Sequence, residues 1–345
     1  VFQRVVQEYR LQLANAGFTP SALCTYERLH CLERQFHHSD EKLAAIDAMT
    51  PQMLCDFMAV ALSGAFVSVY MGGNLDATEA RAIFSDMLGV IGSPPALSEE
   101  GCAPEATIQL DAPWAVYSVP NRNPADANCA VEMYWQIGAG SHELAAKLFL
   151  LEHIMFEPLF NALRTKQQLG YSVSCSARNT MNTLGFLVTV VSATHEAMQI
   201  EQATTSFLED FARSLRRMGP AEFQRHVEGA VSNKLQEDHS IHEEAARFFA
   251  EVETRQYIFD RAEREAAAIQ AISLQELASW TCHVLLSSSS KRLSVHVHKG
   301  SKHADTDVTS VPLPKGTVRV LNPALFKALL GSLPAPKLPL PPVTV

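Results

Sequence analysis

Thirteen histidines in a chain of 345 residues raise the question of metal chemistry first. A zinc hydrolase needs ligands that converge on the ion, an open position for water, and a carboxylate to take the proton from that water. The compact ways to write this on a helix are H-E-x-x-H and its inverse H-x-x-E-H, which set two imidazoles one turn apart. Neither occurs. His142-Glu143 is followed by Leu144-Ala145-Ala146. His30-Cys31-Leu32-Glu33 ends in Arg34, and His38-Ser39-Asp40-Glu41 ends in Lys42, so each lacks its second histidine. These histidines are expected on solvated helix faces. His296 and His298 share one strand face, and His239 and His242 lie close in sequence, but two ligands make a weak site. No metal site is expected in this chain.

Other chemistries are also missing. There is no G-x-S-x-G nucleophile elbow. Gly72-Gly73-Asn74 lacks the lysine of a phosphate loop and the spacing of a dinucleotide fingerprint, and reads as a tight turn. Cys24, Cys31, Cys55, Cys102, Cys129, Cys175 and Cys282 form no C-x-x-C pair. An odd, dispersed set of thiols fits a reducing compartment and no disulfide framework, so a cytoplasmic location is expected. An organelle stays open, because any targeting segment would lie upstream of Val1. Cys24 and Cys31 are expected as buried thiols on one helix face. With 28 basic and 37 acidic residues the net charge is −9, which excludes general attraction to nucleic acid. Apolar residues make up 47% and charged residues 19%, as in a globular protein.

The elements that must position any site alternate between helices and short strands. Residues 1–16 read as an amphipathic helix, so the chain is expected to begin inside a larger protein. Thr50-Pro51 pairs an N-cap with proline at the first helical position and opens a helix to about Leu62. Phe66 to Met71 is apolar and of strand length. Met53 to Gly73 holds Asp56 as its only charge and could span a bilayer by length, but Ser63-Gly64 breaks it. A buried helix followed by a buried strand is the expectation, with no membrane span. A helix from about Thr78 to Val90 comes next, and a linker rich in Pro, Gly, Ser and Glu follows at 92–106.

Beyond the linker, Thr107 to Leu110, Trp114 to Val119 and Ala130 to Ile137 read as strands. His142 to Leu163 reads as a long helix, with Leu144, Leu148, Leu151, Met155 and Leu159 in one buried stripe. Tyr171 to Ala177 and Leu184 to Val190 alternate apolar and small or polar residues and read as an antiparallel hairpin. Ile200 to Leu215 marks a helix, Gly219-Pro220 ends it and starts another, and Asn322-Pro323 opens a last short one. The proline-rich end has extended tendencies.

An internal repeat orders these pieces. Thr50, Gln52 and Leu54 correspond to Ser273, Gln275 and Leu277, each pair 223 residues apart. The strand Val67-Ser68-Val69 corresponds to Leu293-Ser294-Val295, 226 residues apart. The unit from about 106 onward is one full period. The unit before the linker is about half a period, so it is expected to lack its N-terminal part.

The run EPLFNALRTKQQLGYSVSC, Glu157 to Cys175, resembles the C-terminal half of the insulin-degrading enzyme and pitrilysin family. MGGNLDATEA, Met71 to Ala80, fits the same family, as do ANCAVEMYWQ, Ala127 to Gln136, and ETRQYIFDRAE, Glu253 to Glu263. RLSVHVHKG, Arg292 to Gly300, and FKALLGSLP, Phe326 to Pro334, extend the match in order over nearly the whole chain. The resemblance implies an α+β fold of two homologous domains with mostly antiparallel sheet. Residues 1–95 would be the C-terminal part of a third peptidase-like domain, 96–106 a linker, and 107–345 a complete fourth domain with a proline-rich tail. It implies the substrate-binding half of a zinc metalloendopeptidase that degrades peptides in a closed chamber. The zinc and its inverted motif belong to the N-terminal half of the same polypeptide, which would be this chain's partner, and relatives form homodimers through this half.

By the same resemblance, Arg164 and Tyr171 are the residues that reach across to the reacting peptide. Arg164 would hold peptide carbonyls as a permanently charged fork. Tyr171 would donate to the oxygen that becomes negative during attack. Read from the residues alone, these two are an arginine favoured at a helix C-terminus and a strand tyrosine half-packed in the sheet. The acidic stretch Leu235 to Ala246 departs from a lysine cluster common in the family, which puts polyanion regulation in doubt. Glu152 and Leu159 stand where some relatives have cysteines, so thiol sensitivity is not carried over. The rival is a non-catalytic structural or chaperone-like subunit of the same fold, which retention of both Arg164 and Tyr171 disfavours.

Overall fold

A computed structural model of the chain describes residues 1–95, 97, 105–302 and 310–333. Its centre is the strand β2, Cys129–Ala139, buried on both sides over most of its length. Val131, Met133 and Trp135 point to one side, and Ala130 and Tyr134 to the other. A strand apolar on both faces must be covered on both.

Five further strands flank it: β1 (Trp114–Pro120), β3 (Ser172–Thr180), β4 (Thr183–Ser192), β5 (Lys291–His298) and β6 (Val318–Val320). Their order is β3-β4-β2-β5-β1-β6. The β3–β4, β4–β2 and β2–β5 pairs are antiparallel, while β1 pairs parallel with β5 and β6. Met181 and Asn182 turn the β3–β4 hairpin, both with positive φ (47° and 61°). That is the twist a two-residue hairpin turn requires.

One sheet face carries the larger core. It is built with α6 (His142–Leu159), α7 (Ala197–Arg217), α8 (Pro220–Lys234), α10 (Arg261–Ala271) and α11 (Leu274–Leu286), while α9 (Ile241–Glu253) buries only Glu251. The expected helices and hairpin all form, and α9 and α10 are added in an acidic, alanine-rich stretch.

The first 95 residues form α1 (Phe2–Ala14), α2 (Pro20–Leu32), α3 (Ser39–Ala48), α4 (Pro51–Ala61) and α5 (Ala77–Val90). Of these, α2 lies on the other face of the six-stranded sheet, with the short α12 (Pro323–Ala328) beside it. Leu23, Cys24, Cys31 and Leu32 are fully buried there, as expected for Cys24 and Cys31. The Arg28 Nε donates to Glu132 Oε1 of β2 at 2.6 Å, and Thr25 Oγ1 donates to Glu132 Oε2 at 2.9 Å. Packing therefore runs across the expected boundary at 95–107: α2 seals a sheet formed by the later residues.

Two expectations need correcting. The helix α4 forms, with Thr50 Oγ1 accepting from Met53 N at 3.2 Å, but it buries no residue. Phe57 is 64% exposed and Val60 72%. Residues 66–71 pair with no strand among the described residues. The apolar pattern is present, but no layer lies opposite to cover it. Among the described residues no single helix is long and apolar enough to cross a membrane.

The repeat survives as helix order. The helices α1 to α4 start at residues 2, 20, 39 and 51, and α8 to α11 start at 220, 241, 261 and 274. Thr50 and Ser273 cap equivalent helices in the same way, each accepting from the amide three residues on. The strand arm of the repeat fails, since β5 is paired and 66–71 is not.

Candidate functional site

The segment bearing Arg164 and Tyr171 departs from regular geometry. Pro158 lies inside α6 and has no N–H to continue the ladder. Two residues on, the helix widens into a π-helix at Phe160–Lys166. The Gln167 N–H reaches back five residues to Ala162 O at 3.1 Å, and Leu169 N–H reaches six back to Leu163 O at 2.8 Å. Such widenings are rare and concentrate at functional sites. Leu159 and Leu163 face the core, which leaves Arg164 exposed. Its guanidinium carbon lies 5.5 Å from the Phe160 ring centroid, a cation–π contact that keeps it on the surface.

The chain then reverses into β3. Gln168 takes a positive φ of 51°. A Cβ on Gly170 would stand 2.3 Å from Val191 O, so only glycine lets the backbone approach β4 here. Tyr171 N–H donates to Val191 O at 3.0 Å and fixes the start of the edge strand. The Tyr171 side chain is 53% exposed. Partial burial, with the Asp126 carboxylate second, raises its pKa, so the hydroxyl stays protonated and remains a donor. Among the described residues no hydrogen bond joins Arg164 to Tyr171. Both face outward from neighbouring turns, as two groups reaching toward a third body would.

The fit to zinc at this place is negative. Neither residue belongs to a group of three histidine, cysteine or carboxylate donors among the described residues. Among the described residues no set of metal ligands stands beside Arg164 and Tyr171.

A cleft of about 840 Å³ lies elsewhere. It opens between the start of α6, the hairpin turn at Asn182, and Arg247 and Arg261. Three of its cations are paired: Arg261 with Glu251, Lys234 with Glu265 at 2.6 Å, and Arg247 with Asp238 at 2.8 Å, while Arg178, Arg255 and Glu143 also line it.

His296, His298, His30 and His38 are not free surface groups. His296 Nε2 lies 2.9 Å from Glu201 Oε2 under α7, with Ser294 Oγ at 2.8 Å and Arg292 Nη2 at 3.2 Å from Glu201 Oε1. Burial opposes the ionisation of Glu201, but the His296 hydrogen bond and the Arg292 charge outweigh it and hold the carboxyl below its usual range. Burial pushes the His298 imidazole down to about 4. His30 and His38, expected on solvated faces, are instead turned onto the buried Glu27. A search for contiguous motifs passes over that group, because a loop brings residue 38 back to residues 27 and 30. The one signal in the sequence is Glu27 and His30 three apart on a helix.

Comparison with known proteins follows this geometry. Residues 150–249, which hold Arg164 and Tyr171, match the model of the PQQ synthase PqqF-like C-terminal lobe, domain 4. Human nardilysin is 31% identical over 86% of the chain, and a nardilysin-like protein of Arabidopsis thaliana 29% over 95%. Human insulin-degrading enzyme is 28% identical over 77%. The chain is similar to the C-terminal half of the pitrilysin-type peptidases. It spans 32% of the Arabidopsis relative's length and 26% of each human one. The fold agrees: a crystal structure of pitrilysin superposes with a TM-score of 0.81 at 18% identity, over 97% of this chain and 35% of that one. A peptidase M16 inactive domain from Pseudomonas fluorescens superposes with a TM-score of 0.58 at 15% identity, over 86% of this chain and 70% of that one.

Proposed function

We propose that the chain is the non-catalytic, substrate-contacting half of a zinc metalloendopeptidase that degrades peptides in a closed chamber. The zinc, its ligands and the general base would come from the N-terminal half of the same polypeptide. In this reading residues 1–95 close a third peptidase-like domain and residues 107–345 form a fourth, with 96–106 as linker. The exposed apolar face of α4 and 66–71 supports that division, since it needs a covering layer this chain lacks. A homodimer through this half and a cytoplasmic location belong to the same proposal.

The observation that carries it is the motif around Tyr171: an exposed, protonated hydroxyl on a strand start fixed by Gly170, two turns of chain after a π-helical Arg164. As a nucleophile attacks a peptide carbonyl, negative charge grows on the oxygen. A fixed hydroxyl that donates to it binds the transition state better than the ground state. Arg164 holds a peptide carbonyl by charge in both states, so its contribution is to binding.

The test is steady-state kinetics in the polypeptide containing both halves. Tyr171→Phe removes the donor and keeps the ring. It should lower kcat roughly a hundredfold, with KM little changed and melting unaltered. Arg164→Ala should raise KM as well. A folded Tyr171→Phe enzyme with near-wild-type kcat would sink the role and leave Tyr171 as a packing residue.

A further inference from the structure

Outside the Arg164–Tyr171 segment, one cluster has the chemistry of a ligand set. Glu27 and His30 stand one turn apart on α2, and His38 closes the loop that leads into α3. The ligand atoms of the three all lie within 4.8 Å of one another. Glu27 Oε2 is 3.2 Å from His30 Nδ1, and Oε1 is 3.3 Å from His38 Nε2. Metal bonds of about 2.0–2.1 Å give tetrahedral edges of roughly 3.3–3.4 Å, and each imidazole already stands about that far from one oxygen of the carboxylate, a different oxygen for each ring. Glu27 is buried, and no lysine or arginine pairs with it in the described residues. Burial opposes its ionisation, but the hydrogen bonds to the two imidazoles outweigh that and hold the carboxyl below its usual range. The carboxylate is thus ionised and faces two rings.

A fourth residue completes the pattern seen around metal-bound histidines. Asp40 Oδ2 lies 3.3 Å from His38 Nδ1, on the far side of the ring from Glu27. Nδ1 accepts from the Asp40 backbone N–H at 3.3 Å, and an ion on Nε2 would replace that contact with an Nδ1–H donated to Asp40 Oδ2. Tyr26 packs edge-on against His38, and Phe36 stacks on His30, so both rings are held in place. The half-buried imidazoles leave a solvent-facing side for a water as further ligand. One charge opposes the ion: Arg122 Nη2 is 3.3 Å from His38 Nε2, though it also donates to Ser39 Oγ at 2.9 Å, and its Nη1 donates to Ala16 O at 3.0 Å.

We infer that Glu27, His30 and His38 form a structural binding site for a divalent ion of the zinc class, which pins the start of α3 to α2. Two imidazoles and one carboxylate suit zinc or cobalt and not the all-oxygen cages of calcium or magnesium. The site is independent of the peptidase reading, because it touches neither Arg164 nor Tyr171. It also qualifies the expectation that this chain carries no metal.

The experiment uses the chain stripped with a chelator, then titrated with Co2+ by visible absorption and calorimetry. One Co2+ per chain should bind with the intense visible bands of a low-coordinate site, and one Zn2+ should displace it, while Ca2+ and Mg2+ should not. His30→Gln should weaken binding by more than about 100-fold, since even outer partners of such ligands cost about 10–100-fold. Glu27→Gln should act in the same direction. Arg122→Gln should do the opposite and tighten binding severalfold, because it removes a neighbouring cation. His239→Gln, on the exposed α8–α9 connection, should change nothing. Zn2+ should raise the melting temperature of wild type and not of His30→Gln. His38→Gln also removes the cap of α3, so His30→Gln, whose ring caps no helix, carries the decision if that variant fails to fold. No stoichiometric uptake by wild type would overturn the site, and so would affinity unmoved by His30→Gln or displacement of Co2+ by Ca2+.

Discussion

The helices α4 and α11 are written alike and finish differently. Each starts at a hydroxyl cap, runs largely apolar, and leads to an apolar extended segment. In α11, Leu277, Ala278, Thr281 and Leu285 are buried, and β5 after it lies inside the sheet. In α4 nothing is buried, and 66–71 has no strand beside it. The difference lies opposite the helix. α11 packs on α6, α7 and β2, and α4 has no such layer. A local pattern is enough to specify an element, but burial needs a partner.

The same contrast can be broken at its strongest joint. Arg28 of α2 reaches across to Glu132 of β2, and this buried pair is what ties the early residues to the sheet. Arg28→Met would leave Glu132 charged and unpaired in the core. It should cost about 3–5 kcal/mol, measured by urea unfolding. A loss under 1 kcal/mol would mean that α2 is held by its apolar side alone.

Next in size is a matched pair of truncations. Leu277→Ala in α11 should cost about 3 kcal/mol, as for a fully buried leucine. Phe57→Ala in α4 should stay within about 0.5 kcal/mol in this chain. In the polypeptide with its N-terminal half, Phe57→Ala should become costly as well. If it stays neutral there, the exposed face of α4 is not covered by that half.

The smallest effect is a pH dependence in the later region. Glu201 is held below the ordinary carboxylate range, so it stabilises the fold above the unfolded pKa of about 4.3 and stops doing so as pH falls through the depressed value. Glu201→Gln should cost about 2 kcal/mol at neutral pH. The gap in melting temperature from wild type should shrink only below about pH 4. A gap that is the same at pH 3 and pH 7 would mean that packing, and not charge, makes the difference.

Much of this was legible from residue patterns. The caps Thr50 and Ser273 mark α4 and α11, and alternation marks β3 and β4. The helices α9 and α10 were not, and in the fold they bury few residues: only Glu251 in α9, and Glu265, Ala266 and Ile269 in α10. The strand at 66–71 was read from its apolar residues, yet a strand exists only when another pairs with it. The repeat was legible as spacing, and its helices returned in order. Arg164 and Tyr171 were legible only through the family motif; nothing in their types signals a π-helix. The Glu27–His30–His38 group was not legible, since its closure depends on the path of the chain from 33 to 38.

The most direct test of the two-half reading is peptide cleavage by this chain alone and by the polypeptide that joins it to the N-terminal half. Cleavage is the readout, because an ion held by Glu27, His30 and His38 would leave metal content uninformative. With zinc supplied, the joined polypeptide should cleave a fluorogenic peptide in a chelator-sensitive way, and this chain alone should cleave no faster than buffer. Chelator-sensitive cleavage by this chain alone would contradict the reading.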